Sequence, residues 1–430
     1  MITKGTTMTQ PHARATTVSA IALAVAGALV LSSCSTPQAE AQPGLTDDSI
    51  KIGTHQPLTG PAAASYAPIS AATAAYFDYV NAEGGINGRT IEYIVKDDGY
   101  NPANTQTVVR ELVLEDEVFA ILGGLGTPTH SSVLDFLNEN EVPDLFVSSG
   151  SAAWNQAEKY PFTFGFQADY VTEGMVLGQY ISEEFDGKKV CLFGQDDEFG
   201  TDMQEGLGKI LGDDGLAEVQ NYSVSNQDVT AQIVALQAAG CEVNVLATIT
   251  GFTALAIGTA AQLKYFPQWV SSSSGADYGP LSGYLGEAAP LLLEGFVSDN
   301  YLPSATDEDD KWIELFRQVN DEYNDGAEFT GSVAYGMAMG YLFAEALLAA
   351  GEQPTREGLV AAVQSGELKG SGLVPLAFSE DNHSGYIGAG ITVVKDGVQA
   401  AIDKRWVRDG DKVVVYDDPA VELLSGGIPS

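Results

Sequence analysis

The sequence predicts an α/β protein of two doubly wound, three-layer (αβα) lobes joined by a three-stranded hinge. Three observations carry this expectation. From Asp48 onward, short β-rich runs alternate with longer Ala-rich helical runs, the pattern of a parallel sheet covered by helices on both faces. The alternation pauses at residues 161–167 and starts again, giving a second unit of similar size. After Phe296 it gives way to a helical tail with short strands, too little for a third domain and read as crossing back to complete the first two. A chain of 430 residues also exceeds one ordinary core.

In the first unit, strands are expected at 49–54, 89–96, 118–122 and 144–148, with helices at 64–81, 102–114 and 129–140. Asn101-Pro102 is a helix start, a capping Asn followed by Pro where the missing N–H costs nothing. In the second unit, strands are expected at 189–193, 217–222, 243–249 and 268–272, and helices at 171–184, 200–211, 228–239 and 253–263. The tail holds helices at 308–324, 330–350 and 355–365, then short strands around a hairpin turn at Asp396-Gly397. Crossings near 161–167, 296–304 and 373–382 divide the chain into an N-terminal lobe of 48–167 plus 300–374 and a C-terminal lobe of 168–299 plus 375–430. A hinge of this kind closes on a ligand in the cleft.

The first residues set the compartment. Lys4 and Arg14 precede an apolar run at 18–31, and no acid occurs before Glu40. The run is shorter than the ~20 residues that span a bilayer and reads as a signal peptide, residues 1–33. It ends in Leu31-Ser32-Ser33-Cys34, which resembles a lipobox with Cys34 as the lipidated residue. Residues 34–47 are small, polar and Pro-containing, a tether from a lipid anchor to the folded lobes. Localisation on the extracytoplasmic face of the cell membrane, periplasmic or cell-surface, follows. Removing 1–33 leaves 18 basic and 58 acidic residues, a net charge of −40. Such a surface repels phosphate backbones, which excludes nucleic acid as a partner.

Nothing in the sequence assembles an enzyme. His12 lies in the signal region; His55, His130 and His383 form no metal-ligand spacing. No Gly-x-Ser-x-Gly elbow or Walker loop occurs, and no cofactor is called for. The acids of Gln195-Asp196-Asp197-Glu198 are read as the start of a helix, where they suit the dipole; a cell-surface hydrolase would need turnover lost on mutating Asp196 or Asp197. The glycine-rich turn Gly123-Gly124-Leu125-Gly126-Thr127-Pro128-Thr129 follows a strand and opens a helix, either a cradle for an anion such as a carboxylate or a tight structural turn.

In open α/β sheets ligands sit at the carboxyl ends of strands. In the first unit those ends carry His55, Gln56, Thr127, Pro128, Thr129, Ser148, Ser149, Gly150 and Ser151; in the second they carry Thr250, Gly251, Phe252, Ser273 and Ser274. With Tyr66 and Tyr170 as aromatic walls, these are the candidate ligand-binding residues, suited to a small polar organic solute.

At this point the chain resembles the branched-chain amino acid type of periplasmic binding protein, of the type I fold. The likeness rests on Ile52-Gly53, on Pro57-Leu58-Thr59-Gly60-Pro61 and on Val80 through Arg89 (VNAEGGINGR). Asp97-Asp98-Gly99-Tyr100-Asn101-Pro102, the 123–129 turn and Asp197-Glu198-Phe199-Gly200 extend it. The resemblance implies a monomeric, extracytoplasmic substrate-binding protein that hands an amino acid, or another organic acid or amide, to an ABC permease with its ATPases. A receptor lobe that signals through a partner is the competing class. It also implies that the ligand carboxylate meets the turns at Thr127–Thr129 and 149–152, with 250–252 opposite. In one respect the chain departs from the pattern. Amino-acid binders commonly place a second-lobe carboxylate near Ser271-Ser272-Ser273-Ser274-Gly275, and none stands there; Asp277 is off register. Cys191 and Cys241 lie near the starts of strands that are neighbours in a 2-1-3 order. A disulfide is the expectation, two buried free thiols the alternative.

Overall fold

A computed structural model describes residues 42–212, 214–423 and 425–429. The signal peptide, Cys34 and all but the end of the tether lie outside the described residues.

The first sheet is parallel, in the order β2-β1-β3-β4-β5, from β1 (Ser49–Gln56), β2 (Thr90–Asp97), β3 (Ala120–Leu122), β4 (Asp144–Val147) and β5 (Thr163–Gly165). β3 and β4 are wholly buried, as their apolar runs Ala120–Leu122 and, after Asp144, 145–147 require of strands covered on both faces. The second sheet repeats this order in β7-β6-β8-β9-β10, from β6 (Val190–Gln195), β7 (Leu216–Tyr222), β8 (Val243–Ala247), β9 (Gln268–Ser271) and β10 (Val297–Asn300). It is then extended by the antiparallel strands β11 (Gly388–Lys395), β12 (Val398–Asp409) and β13 (Lys412–Val415). Asp396 and Gly397, with φ of 51° and 78°, make the tight turn between β11 and β12.

Between the sheets the chain crosses after β5, after β10 and before β11. After the second crossing, helices Lys311–Tyr323 and Gly331–Ala349 pack on helix Ala63–Ala82 of the first sheet. Gly336 and Gly340 permit the close approach: a Cβ on Gly336 would stand 2.2 Å from the Ile69 carbonyl oxygen. Tyr76 meets Phe316 and Tyr341 edge-on in that seam. Cys191 and Cys241 form a disulfide, Cα to Cα 5.8 Å, between adjacent β6 and the approach to β8.

Two expectations need correction. The helix expected at 129–140 is two, Thr127–Ser131 and Leu134–Glu139, because the Ser132 hydroxyl donates to the Thr129 carbonyl and Val133 leaves helical geometry. Nor does all of 375–430 belong with the C-terminal lobe. Past β13 the chain returns to the first lobe, where Trp312 Nε1 donates to the Val421 carbonyl (2.7 Å) and Tyr79 to that of Gly426 (2.6 Å). Indole and phenol side chains on the two packed helices offer donors that the tail's carbonyls can satisfy.

Candidate functional site

The carboxyl ends of both parallel sheets face one interlobe cavity of about 310 Å³. Its first-lobe wall is built by the turns after β3 and β4. Gly126 takes φ of 101°, which a side chain would strain, and turns the chain so that Thr127 faces the cavity. The Thr127 and Ser149 hydroxyls share a hydrogen bond of 2.8 Å, and Ser148 lines the cavity beside them. The hinge adds Gln167, and helix Tyr170–Glu184 adds Tyr170, stacked on Phe199 with ring centroids 4.0 Å apart. Tyr301 and Tyr335 form an aromatic floor.

The second-lobe wall is polar. Ser273 and Ser274 line it from the turn after β9, and Asp299 lines it from β10. The Ser273 backbone N–H donates to Asp299 Oδ1 (2.9 Å) and its hydroxyl to Glu173 Oε1 (2.7 Å); Ser272 donates to Glu173 Oε2 (2.5 Å). Asp299 Oδ2 is buried without a hydrogen-bond partner. Burial, reinforced by Asp299, raises the Glu173 carboxyl well above its ordinary range, and burial pushes Asp299 up to about 7.

Several contacts hold the lobes together around this cavity. The Tyr66 hydroxyl, on helix Ala63–Ala82, donates to the Ser274 carbonyl (2.6 Å) and accepts from the Thr250 backbone N–H (3.1 Å). Asp277 Oδ2 accepts from the backbone N–H of Ser332 (2.9 Å), at the start of helix Gly331–Ala349. Asp202 Oδ2 accepts from the Ala152 N–H (2.8 Å), and burial pushes its carboxyl up to about 6. The structure is therefore a closed one.

Of the residues singled out from sequence, Tyr66, Thr127, Ser148, Tyr170, Ser273 and Ser274 line the cavity. The others do not, each for a physical reason. His55 is fully buried: its Nδ1 bonds Asp98 Oδ2 (2.8 Å) and its Nε2 bonds His130 Nδ1 (3.0 Å), while His130 Nε2 bonds Asp144 Oδ2 (2.8 Å). These three contacts need three protons, one more than two neutral imidazoles supply, so the chain of four side chains holds the extra one. Burial holds His55 below its ordinary value. Gly124 rests on this chain, with room for no Cβ above the two rings. Gln56 donates to the Gly123 carbonyl (2.7 Å) and braces the same turn. Thr129 turns back to the Gly126 carbonyl, and Pro128 lies off the cavity. The Gly150 carbonyl accepts from the Tyr170 N–H, and the Ser151 hydroxyl caps the turn Ala152–Trp154. Thr250 is engaged by Tyr66, Gly251 lies off the cavity, and Phe252 stacks on Tyr222 in the core. Asp197 caps helix Glu198–Leu211 by accepting from the Phe199 N–H (2.9 Å).

Sequence reasoning missed Gln167, Asp299, Tyr301 and Tyr335. Asp299 had a signal, since it lies at a strand's carboxyl end, but 296–304 reads as a crossing.

The model of a family described as periplasmic binding protein matches residues 49–398. The leucine-, isoleucine-, valine-, threonine- and alanine-binding protein of Pseudomonas aeruginosa is 25% identical over 198 residues, 45% of this chain; the chain spans about half (52%) of that relative's length. A Leu/Ile/Val-binding protein homolog of Brucella suis is 25% identical over 323 residues, 74% of this chain and 84% of its own. Two solved structures share the fold. A Thermus thermophilus branched-chain amino acid ABC transporter protein with bound valine superposes with a TM-score of 0.74, 22% identity and 85% and 98% of the two chains covered. A fatty acid ABC transporter substrate-binding protein from Thermomonospora curvata gives 0.73, 23%, 89% and 95%.

Proposed function

The chain belongs to the periplasmic binding protein family, in its type I, branched-chain amino acid branch, and from that premise we propose that it captures a small organic solute for an ABC importer. The observation that carries this reading is the closed cleft, with a cavity of about 310 Å³ at the strand ends of both lobes. That volume lies at the small end of ligand pockets and suits one amino acid or a compound of similar size. Aromatic rings offer an apolar body a place, while Thr127, Ser148 and Gln167 line the cavity with hydrogen-bonding groups from the first lobe and hinge and Asp299 lines it from the second lobe. The ligand is an amino acid or another organic acid or amide.

Closure around the ligand turns binding into a shape signal that a permease reads. Lipidation at Cys34 keeps the protein beside that permease, two or more acyl chains being needed for firm anchoring. The test is calorimetric titration of the soluble lobes with amino acids, their deaminated acids and their amides. One-to-one binding of at least one class is expected; no binding by any overturns the reading.

A further inference from the structure

The cavity continues past the strand ends. Its lining passes from Thr127, Ser148 and Tyr170, all buried, along the crossing after β10 to Thr306, which is exposed. Glu328, ahead of helix Gly331–Ala349, lines the cavity too and is likewise exposed. The contacts of Tyr66 and Asp277 that shut the lobes therefore leave one end of the cavity open to solvent. This arm has braced walls. The Arg317 guanidinium lies over the Phe329 ring, 4.5 Å from its centroid, and donates to the Ala305 carbonyl, so it ties together two lining residues of the rim. The Ser304 and Thr306 hydroxyls donate to the Gln399 carbonyl (3.0 and 2.6 Å), and the Gln399 side chain accepts from the Tyr278 N–H (3.2 Å).

The chemistry of the arm suits an apolar chain. Away from the strand ends the cavity is lined by Ile69, Ala276, Leu302, Pro303, Phe329 and Ala334. Polar side chains among them are already engaged: Ser304 and Thr306 with Gln399, Ser298 with Thr392 (2.6 Å), and Asp277 with Ser332. A chain without donors or acceptors thus leaves none of these groups unpaired when it displaces water.

We propose that the arm is a tail channel: the solute held in the cleft carries an unbranched apolar chain on its polar head, and the chain leaves the closed protein between Thr306 and Glu328. The inference rests on the solute-capture reading and narrows its ligand to head-and-chain molecules whose enclosed part fills about 310 Å³. Each methylene inside the arm is taken out of water and raises affinity about fourfold, whereas one beyond the rim stays in water and adds nothing. A sealed cavity would behave otherwise, rejecting any chain too long for it by overpacking.

The test is calorimetric titration of the mature protein with straight-chain carboxylates from butanoate to dodecanoate, and with the matching primary amides and L-2-amino acids. Within the class that binds, affinity should climb with length and then level off, the longest members binding no worse than the middle ones. The tightest long member, tagged with a dansyl group at its far end, should keep its affinity within about threefold and stay open to quenching by acrylamide. Ala305→Trp places an indole in the rim and should lower affinity for the long members about tenfold or more while sparing the shortest. Glu328→Trp, at an exposed position of the same rim, carries the same expectation should Ala305→Trp fail to fold. A maximum near leucine's length with a fall beyond it, loss of the tagged ligand, or a length profile that neither variant changes overturns the proposal and leaves the solute-capture reading standing. No binding by any member, short chains included, overturns that reading and the proposal with it.

Discussion

His130→Leu tests the buried chain that carries the first-lobe turn. His130 stands between His55 Nε2 (3.0 Å) and Asp144 Oδ2 (2.8 Å), and neither carboxylate of the chain touches water. Leucine fills a similar volume but removes both ring nitrogens from the chain. Asp144 Oδ2 keeps only the Thr163 hydroxyl (2.9 Å), and Asp144 Oδ1 already lacks a partner. Leaving a buried carboxyl oxygen without its partner costs about 1–3 kcal/mol or more. A folded domain has only about 5–15 kcal/mol in all, so the urea midpoint should fall by a large fraction. Adding Asp144→Leu should recover part of the loss, because the orphaned acceptor goes with it. A loss below about 1 kcal/mol would refute the role given to the contact between His130 and Asp144.

Further outcomes follow from the same contacts. Tyr66→Phe removes the donor to the Ser274 carbonyl and the acceptor of the Thr250 N–H, two neutral bonds worth about 1 kcal/mol each and present only when the lobes are shut. Ligand release in stopped flow should speed up roughly 30-fold with little change in the on-rate; an unchanged off-rate would show that Tyr66 does not latch the cleft. Replacing Cys191 and Cys241 by Ser frees a loop of sequence separation 50, worth ~4 kcal/mol in the chain-entropy treatment and often less. The urea midpoint should drop in the variant and in the reduced wild type alike, and coincidence of all three curves would dismiss the bridge's contribution.

The regular elements were legible because their causes are local. Asn101-Pro102 starts its helix where it is expected, the Asn side chain accepting from the Ala103 N–H (2.9 Å). The strand ends could be located too, but not the direction of each side chain there. Successive residues of a strand point to opposite faces, and which face is the cleft depends on neighbours distant in sequence. His55 goes beneath Gly124 because Asp98 and His130 await it, and Phe252 goes into the core because Tyr222 does. β10 was illegible for another reason. Val297-Ser298-Asp299-Asn300 has a single apolar residue, and only its pairing with β9 on one side and β11 on the other makes it a strand.

That blind spot bears on specificity. The Tyr66 phenol, the Thr250 N–H and hydroxyl and the Ser274 carbonyl are engaged with one another across the closed cleft, so a bound ligand does not compete for them without reopening it. What remains for the ligand is Thr127 and Ser148, the end of β10, the hinge residue Gln167 and the aromatic floor of Tyr301 and Tyr335. Of these, Gln167, Asp299 and Tyr301 come from the crossings, the parts of the chain that look like connections. The visible strand-end groups set how firmly the lobes shut, and the crossings set what they shut upon. Substituting the first kind should move affinity for all ligands together, whereas substituting Asp299 should reorder them.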